Sequence, residues 1–461
     1  MSTRITDSGM YGHLWGTDET RAIFGERARL QGWLDVIAAL ARAQAAEGII
    51  PAEAARLIGE HARVDLVDLE LAAEQTRTTS HSTLGVIRAL QAALPAEARE
   101  HVYTGATVQD ITDTWTAQAI RACGAIVWRD LRLIEGSLLS LAVAHRDTLM
   151  TGRTHGQAGS PVTFGWKAAS WADEIRRHMD RLREGTPRWL VGQLGGGVGS
   201  LVFYGGQGLA VRARFCAELG LADPGISWLS ARDRGAEFGQ LLALICGTLA
   251  RIGVEVYELQ RPEIGELAEP ASAGSVGSIT MPHKRNPEAS EHLDTLARLV
   301  RASAGVLVEG LAAQHERDGR GWKAEWVALP EACLLTATAL RMAAALLDGL
   351  QVNAEAMRLN LDRAAGYQRS EQALGRLARQ IGGRRAQTLL QQALADGRRS
   401  SVTAAEAMAT AGLPGAGQAS APAGQVTGPL GPADAGECGP MVDLVVERAH
   451  AARAAQPAQW P

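Results

Sequence analysis

Residues 277–291 read GSITMPHKRNPEASE, with a serine, a lysine, an arginine and an asparagine set between Gly277, Pro282 and Pro287. Glycine and proline interrupt helices, so this stretch is expected as an ordered loop that presents side chains. Three further stretches share that character: TRTTSHST at 76–83, YTGATVQDITDT at 103–114 and TGRTHGQAGSP at 151–161. Two of them carry an imidazole, His81 and His155, a group that titrates near neutral pH and can move protons. Lys284 offers a positive charge to a carboxylate. A surface turn is the ordinary reading of any one such loop. Four of them, with hydroxyl, imidazole and cation among them, point to an active site built at helix ends.

The segments between these breaks follow a helical period. In 31–51, Leu34, Ile37, Ala41 and Ala45 recur at three- and four-residue steps, and Gly48 and Pro51 give stop signals. Segments 113–148, 161–186, 236–266 and 288–313 show the same compatibility with helix. Alternating Val/Ile/Thr runs are scarce and there are only five Phe and five Tyr, which argues against a sheet-based fold. Helices this long exceed the usual run of about 8–20 residues and predict a long bundle. Their apolar residues fall on more than one face, which predicts a homo-oligomer. Residues 411–440, rich in Gly, Pro and Ala, read as an irregular segment.

Composition removes several classes. The 461 residues are 46% hydrophobic and 21% charged, enough for a large core, and the net charge of −4 gives no basic surface for nucleic acid. Five scattered cysteines (Cys123, Cys216, Cys246, Cys333, Cys438) show no metal-ligand spacing and read as reduced thiols of a cytoplasmic protein. The N-terminal residues lack the apolar core of a signal peptide. Residues 190–211 are uncharged, but eight glycines and two glutamines there argue against a membrane span. Within them, LGGGVGS lacks the sixth-position glycine or alanine of a dinucleotide fingerprint and no βαβ pattern surrounds it. Neither a metal nor another cofactor is expected.

GSITMPHKRNP, TGATVQD and GRTHGQ together resemble the signature segments of the fumarase/aspartase superfamily, and the resemblance spans roughly residues 10–400. It implies an all-α subunit of three domains, expected at 1–108, 109–352 and 353–461. The central long-helix bundle would be shared across a homotetramer, with each active site drawn from three subunits. The implied reaction is anti elimination from a succinyl group, releasing fumarate. Ser278 matches the family's catalytic base, and its alkoxide would need stabilisation by nearby cations. Lys284 and Asn286 match residues that hold the substrate carboxylate, where negative charge builds as the neighbouring proton leaves. Glu291 matches an acid that orients a catalytic histidine. His155 matches the residue that protonates or holds the leaving group, and His81 aligns with a second active-site histidine. Thr107 and Gln157 fit carboxylate-binding positions, and Arg232 and Arg234 match the family's RDR.

Two departures bear on the substrate. Val108 stands where related branches place a carboxylate-binding serine, and Ala231 where they carry glutamine. QHERDGRGWKAEWVALPE (314–331) resembles the 3-carboxy-cis,cis-muconate cycloisomerase branch, and its Trp322 and Trp326 cannot bind a nucleotide phosphate, which disfavours adenylosuccinate. Yet His155 and His81 are lyase-type histidines. The combination suits a small substituted succinate, with nitrosuccinate lyases of natural-product pathways as the best fit. The alternatives are a muconate cycloisomerase and an inactive structural relative.

Overall fold

Ile120, Val127, Leu131, Ile134 and Leu138 recur at three-, four- and seven-residue steps and are all buried, lining one side of a helix that runs Val108–Ala144 without a break. It starts where the Thr107 N–H meets the Asp110 carboxylate at 2.8 Å. The computed structural model describes residues 3–271, 277–413 and 430–460. Six helices precede this long one: α1 (Asp18–Phe24), α2 (Glu26–Ala46), α3 (Ala52–His61), α4 (Leu69–Thr79), α5 (Leu84–Ala93) and α6 (Ala96–Arg99). The long helix is α7. A hairpin follows, β1 (Leu149–Thr154) and β2 (Gln157–Thr163), then α8 (Phe164–Trp189), α9 (Gly208–Glu218) and α10 (Asp233–Gln260). Next come β3 (Leu267–Ala268), α11 (Glu288–Glu309), α12 (Gly319–Asp348) and β4 (Gln351–Val352), which pairs antiparallel with β3.

Helices α7, α8, α10, α11 and α12 form the bundle around one large core, in which Phe164 stacks edge-on against Trp171 at 6.2 Å. A second core lies under α2, α3 and α5. It also takes Leu194, Leu201, Tyr204, Val211, Phe215 and Cys216, so it is not contiguous in sequence. The expected all-α fold holds, and the four anticipated bundle helices sit within a few residues of their expected bounds. Sequence reading missed α12, whose interior Pro330 removes a helical hydrogen bond. It also missed the β1–β2 hairpin. Helices α10 and α12 are long and apolar enough to cross a bilayer by composition, and the bundle buries most of each.

The C-terminal helices are α13 (Ala354–Asp362), α14 (Ser370–Ile381), α15 (Gly383–Arg399), α16 (Ala404–Thr410) and α17 (Cys438–Ala455). The last returns to the bundle, where Arg453 reaches the buried Glu135 at 2.8 Å alongside Arg176. The reading of 411–440 as irregular is corrected at its far end. Arg369 grips Asp434 through two 2.8 Å bonds, both side chains buried, and α17 begins at Cys438. Residues 414–429 lie outside the described residues.

The bundle has two ends. Helix α7 starts at Thr107 and ends beside the hairpin. Helix α8 returns from the hairpin to Gln193, whose backbone meets Thr114 Oγ1 on α7 at 2.9 and 3.0 Å. Helix α10 starts at that same end, where Arg232 meets Asp113, and runs back to Glu266, which pairs with Arg153 of the hairpin. At 1.5 Å per residue, the 37 residues of α7 set the ends about 55 Å apart.

Candidate active site

The first end is a buried polar knot around the start of α7. Asp110 is fully buried and accepts four N–H groups: Thr107 N at 2.8 Å, Gly195 N at 2.9 Å, Gly196 N at 3.0 Å and Gln193 Nε2 at 3.2 Å. Burial pushes its carboxyl up to about 7, against the pull of those donors. Gln193 also takes Trp228 N on its carbonyl at 2.8 Å and donates to Ser227 Oγ at 3.0 Å. The glycine-rich turn is thereby pinned to the helix start. Arg317, from the loop before α12, donates to Thr107 Oγ1 at 2.6 Å and to Gln109 Oε1 at 2.7 Å. It makes no ion pair among the described residues, so its charge is available to an anion.

Tyr103 stands between this knot and the His81 loop, its hydroxyl beside Thr83 and Thr107. Burial, then the charge of Asp110, raises its pKa. His81 accepts the Leu84 N–H on Nδ1 at 3.2 Å, so its neutral form carries the proton on Nε2, facing outward from an exposed ring.

The second end holds the other loops. His155 and Gly156 have φ of 52° and 73°, a two-residue hairpin turn of the type whose twist matches the strands it joins. A left-handed histidine is uncommon, and here it sets an exposed imidazole at the hairpin tip with Gln157 next to it. Arg153, two residues back, holds the buried Glu266 through bonds of 2.6 and 2.8 Å. Three residues past Glu266, the Glu269 carboxylate accepts Ala289 N and Ser290 N at the start of α11. Hairpin and signature loop are thus tied to one scaffold.

The signature loop closes on itself. A Cβ on Gly277 would lie 2.4 Å from the Lys284 carbonyl, so only glycine allows that approach. Ser278 Oγ accepts the Met281 N–H at 3.0 Å, and Asn286 donates to Glu288 at 3.2 Å. Lys284 is exposed, and Glu291 projects from the first turn of α11.

The structure therefore brings Ser278, Lys284 and Asn286 into one loop, with His155, Gln157 and Glu291 at the same end of the bundle. Thr107 and His81 lie at the opposite end. Among the described residues no hydrogen bond or ion pair joins Ser278 to either histidine. Arg232, expected to bind substrate, already has its guanidinium engaged within this chain. It is 4% exposed and spends its guanidinium on Glu325 (2.8 Å) and Asp113 (2.7 and 3.2 Å), tying α10 to α7 and α12. Burial opposes its charge, but the two carboxylates more than offset that and hold it protonated. Arg234 donates to the Arg188 carbonyl and lies 5.7 Å from the centre of the Trp228 ring. Sequence reading missed Arg317 and Asp110. The HERD tetrapeptide was the available signal for Arg317.

A family profile described as Lyase matches residues 15–302. The N-acetyl-S-(2-succino)cysteine lyase of Dickeya dadantii is 41% identical over 382 residues, covering 83% of this chain and 84% of that protein. The 3-carboxy-cis,cis-muconate cycloisomerase of Pseudomonas aeruginosa is 42% identical over 375 residues, covering 81% and 82%. The crystal structure of the 3-carboxy-cis,cis-muconate lactonizing enzyme from Pseudomonas putida superposes with a TM-score of 0.85 at 32% identity, covering 96% of this chain and 99% of that one.

Proposed function

The chain belongs to the fumarase/aspartase superfamily of lyases, and from that premise we propose that it cleaves a substituted succinate by anti β-elimination, releasing fumarate. A base removes the proton beside one carboxylate, the freed electron pair forms the double bond, and the bond to the substituent breaks with its pair leaving on the substituent. Ser278 is the base in this reading. Its Oγ already accepts the Met281 N–H, a donor that would stabilise the alkoxide. Lys284 and Asn286 hold the carboxylate where charge accumulates, and His155, at the hairpin tip, meets the leaving atom. Arg317 supports the reading most directly: a cation without an ion-pair partner among the described residues, aimed by Thr107 and Gln109, is suited to the second carboxylate.

Thr107 and Ser278 sit at opposite ends of a bundle about 55 Å long. A site that uses both must combine subunits, which supports a homotetramer of the superfamily kind. Leu133, Leu244, Val254, Tyr257 and Val327 are exposed on bundle helices and would be covered in it. Such an enzyme would work in the cytoplasm, with no cofactor.

For the leaving group, the relative that acts on N-acetyl-S-(2-succino)cysteine brings sulfur beside the nitrogen of nitrosuccinate and amines. The second reading is 3-carboxymuconate cycloisomerisation, favoured by the 42% identical relative. Fumarate release from a panel of substituted succinates tests the first, and lactone formation from 3-carboxymuconate the second.

A further inference from the structure

We propose that a small cavity enclosed by α2, α7 and α12 binds one halide ion. Arg29 and Trp33 stand one helical turn apart on α2, share a face, and both line this cavity. Arg29 Nε and Trp33 Nε1 are buried with no hydrogen-bond partner among the described residues. So is Thr112 Oγ1, which lines the cavity from α7. Trp33 is 5% exposed and Thr112 1%, so bulk solvent does not supply the missing partners. Guanidinium and indole N–H groups donate and never accept. What completes this cavity must therefore be an acceptor.

Charge and size narrow the acceptor. The Arg29 guanidinium carbon lies 5.4 Å from the centre of the Trp115 ring, and Arg29 makes no ion pair among the described residues. Burial lowers its pKa, and the charge of Glu26 offsets only part of that. Asp113 and Glu325 also line the cavity, but all four of their carboxylate oxygens accept from Arg232. A partly buried cation left in this way is stabilised by a bound anion. The cavity has a volume of about 20 Å³, and one water needs roughly 10–15 Å³. A single guest slightly larger than water fits, and a carboxylate-bearing metabolite does not. Water would also have to place its own hydrogens on acceptors that Arg232 already engages. The apolar walls, Trp326 and Leu329 among them, strengthen the attraction between an anion and its donors. A halide here ties α2 to α7 and α12 at the end of the bundle where Arg317 sits.

The test is thermal unfolding of the full-length protein in sodium bromide and in sodium gluconate at equal ionic strength, beside Trp33→Phe and Arg29→Met. Gluconate is too large for the cavity, and each variant removes the N–H group while keeping an apolar side chain in place. The expected result for the wild type is a Tm about 2–4 °C higher in bromide, beyond any difference the variants share. Crystals grown in bromide should show an anomalous peak beside Trp33 Nε1 in the wild type and none in Trp33→Phe. The wild-type peak decides the question even where a variant fails to fold. An equal salt response in all three proteins, or a water in the cavity with no bromide peak, overturns the proposal.

Discussion

Arg317 Nη1 donates to Thr107 Oγ1 at 2.6 Å, joining positions 210 residues apart. The bond sets a cation over the start of α7, where the superfamily's carboxylate-binding threonine is expected. Replacing Arg317 with Met removes a charged hydrogen bond to substrate worth about 1.5–3 kcal/mol. KM for the substituted succinate should rise about ten- to a hundred-fold, with a modest fall in Tm because the buried Gln109 Oε1 loses its donor. Because Thr107 and Ser278 belong to different ends, mixing Arg317→Met subunits with Ser278→Ala subunits should restore activity. Steady-state kinetics on the mixture checks this, and no recovery would mean that each site lies within one chain.

Arg232 is expected to act on stability. Replacing it with Met strands Asp113 and Glu325 as buried carboxylates and should cost about 3–5 kcal/mol. Burial already raises the Glu325 carboxyl, against the pull of Arg232, and losing that partner raises it further. A carboxyl raised in the folded state favours folding while protonated and loses that contribution as pH rises through its folded pKa. The variant's deficit, read from urea midpoints, should therefore be smaller at mildly acidic pH than at alkaline pH.

Gly277 tests the closed signature loop. Alanine there would bring its Cβ to 2.4 Å from the Lys284 carbonyl and force the loop open. Turnover should fall at least a hundred-fold, an order-of-magnitude expectation for misplaced catalytic groups. Tm should stay near the wild type, since the loop lies outside both cores. Circular dichroism beside the rate assay separates the two effects.

His178 gives the fold an acid sensitivity. Its Nε2 lies 2.8 Å from Thr248 Oγ1, which itself donates to Glu174 at 2.5 Å, so Nε2 must carry the ring proton. Nδ1 faces Arg181 at 3.1 Å and accepts from it. Burial, then Arg181, lowers the imidazole pKa from 6.5 to about 4. A histidine lowered in this way contributes stability above pH 6.5 that is lost as pH falls toward 4, up to about 3 kcal/mol. His178→Gln should flatten that window in urea unfolding.

Sequence carried the bundle because apolar period and stop signals act locally. Gly48, with φ of 73°, follows the end of α2 where the stop was expected. Helix α12 escaped because Pro330 and the charged 314–325 stretch masked its period, although Leu329, Cys333, Leu340 and Leu347 are all buried. The hairpin escaped because its turn uses a left-handed histidine in place of asparagine or glycine. The residue types proposed for catalysis were legible in the signature loops. Their sorting to two ends was not, because it follows from how far α7 runs. The ion pairs of Arg232 were hidden for a related reason: RDR names a cation, and only the packing shows that Asp113 and Glu325 engage it.

The most direct measurement is fumarate formation, followed by NMR, from S-(2-succino)cysteine derivatives, nitrosuccinate, aspartate and argininosuccinate, with wild-type protein and Ser278→Ala. The expected result is one equivalent of fumarate from at least one of these with the wild type, and none with the variant at an unchanged oligomeric size. Fumarate from neither protein, with lactone formed from 3-carboxymuconate, would contradict it in favour of the cycloisomerase. Undiminished fumarate release by Ser278→Ala would contradict the assignment of the base.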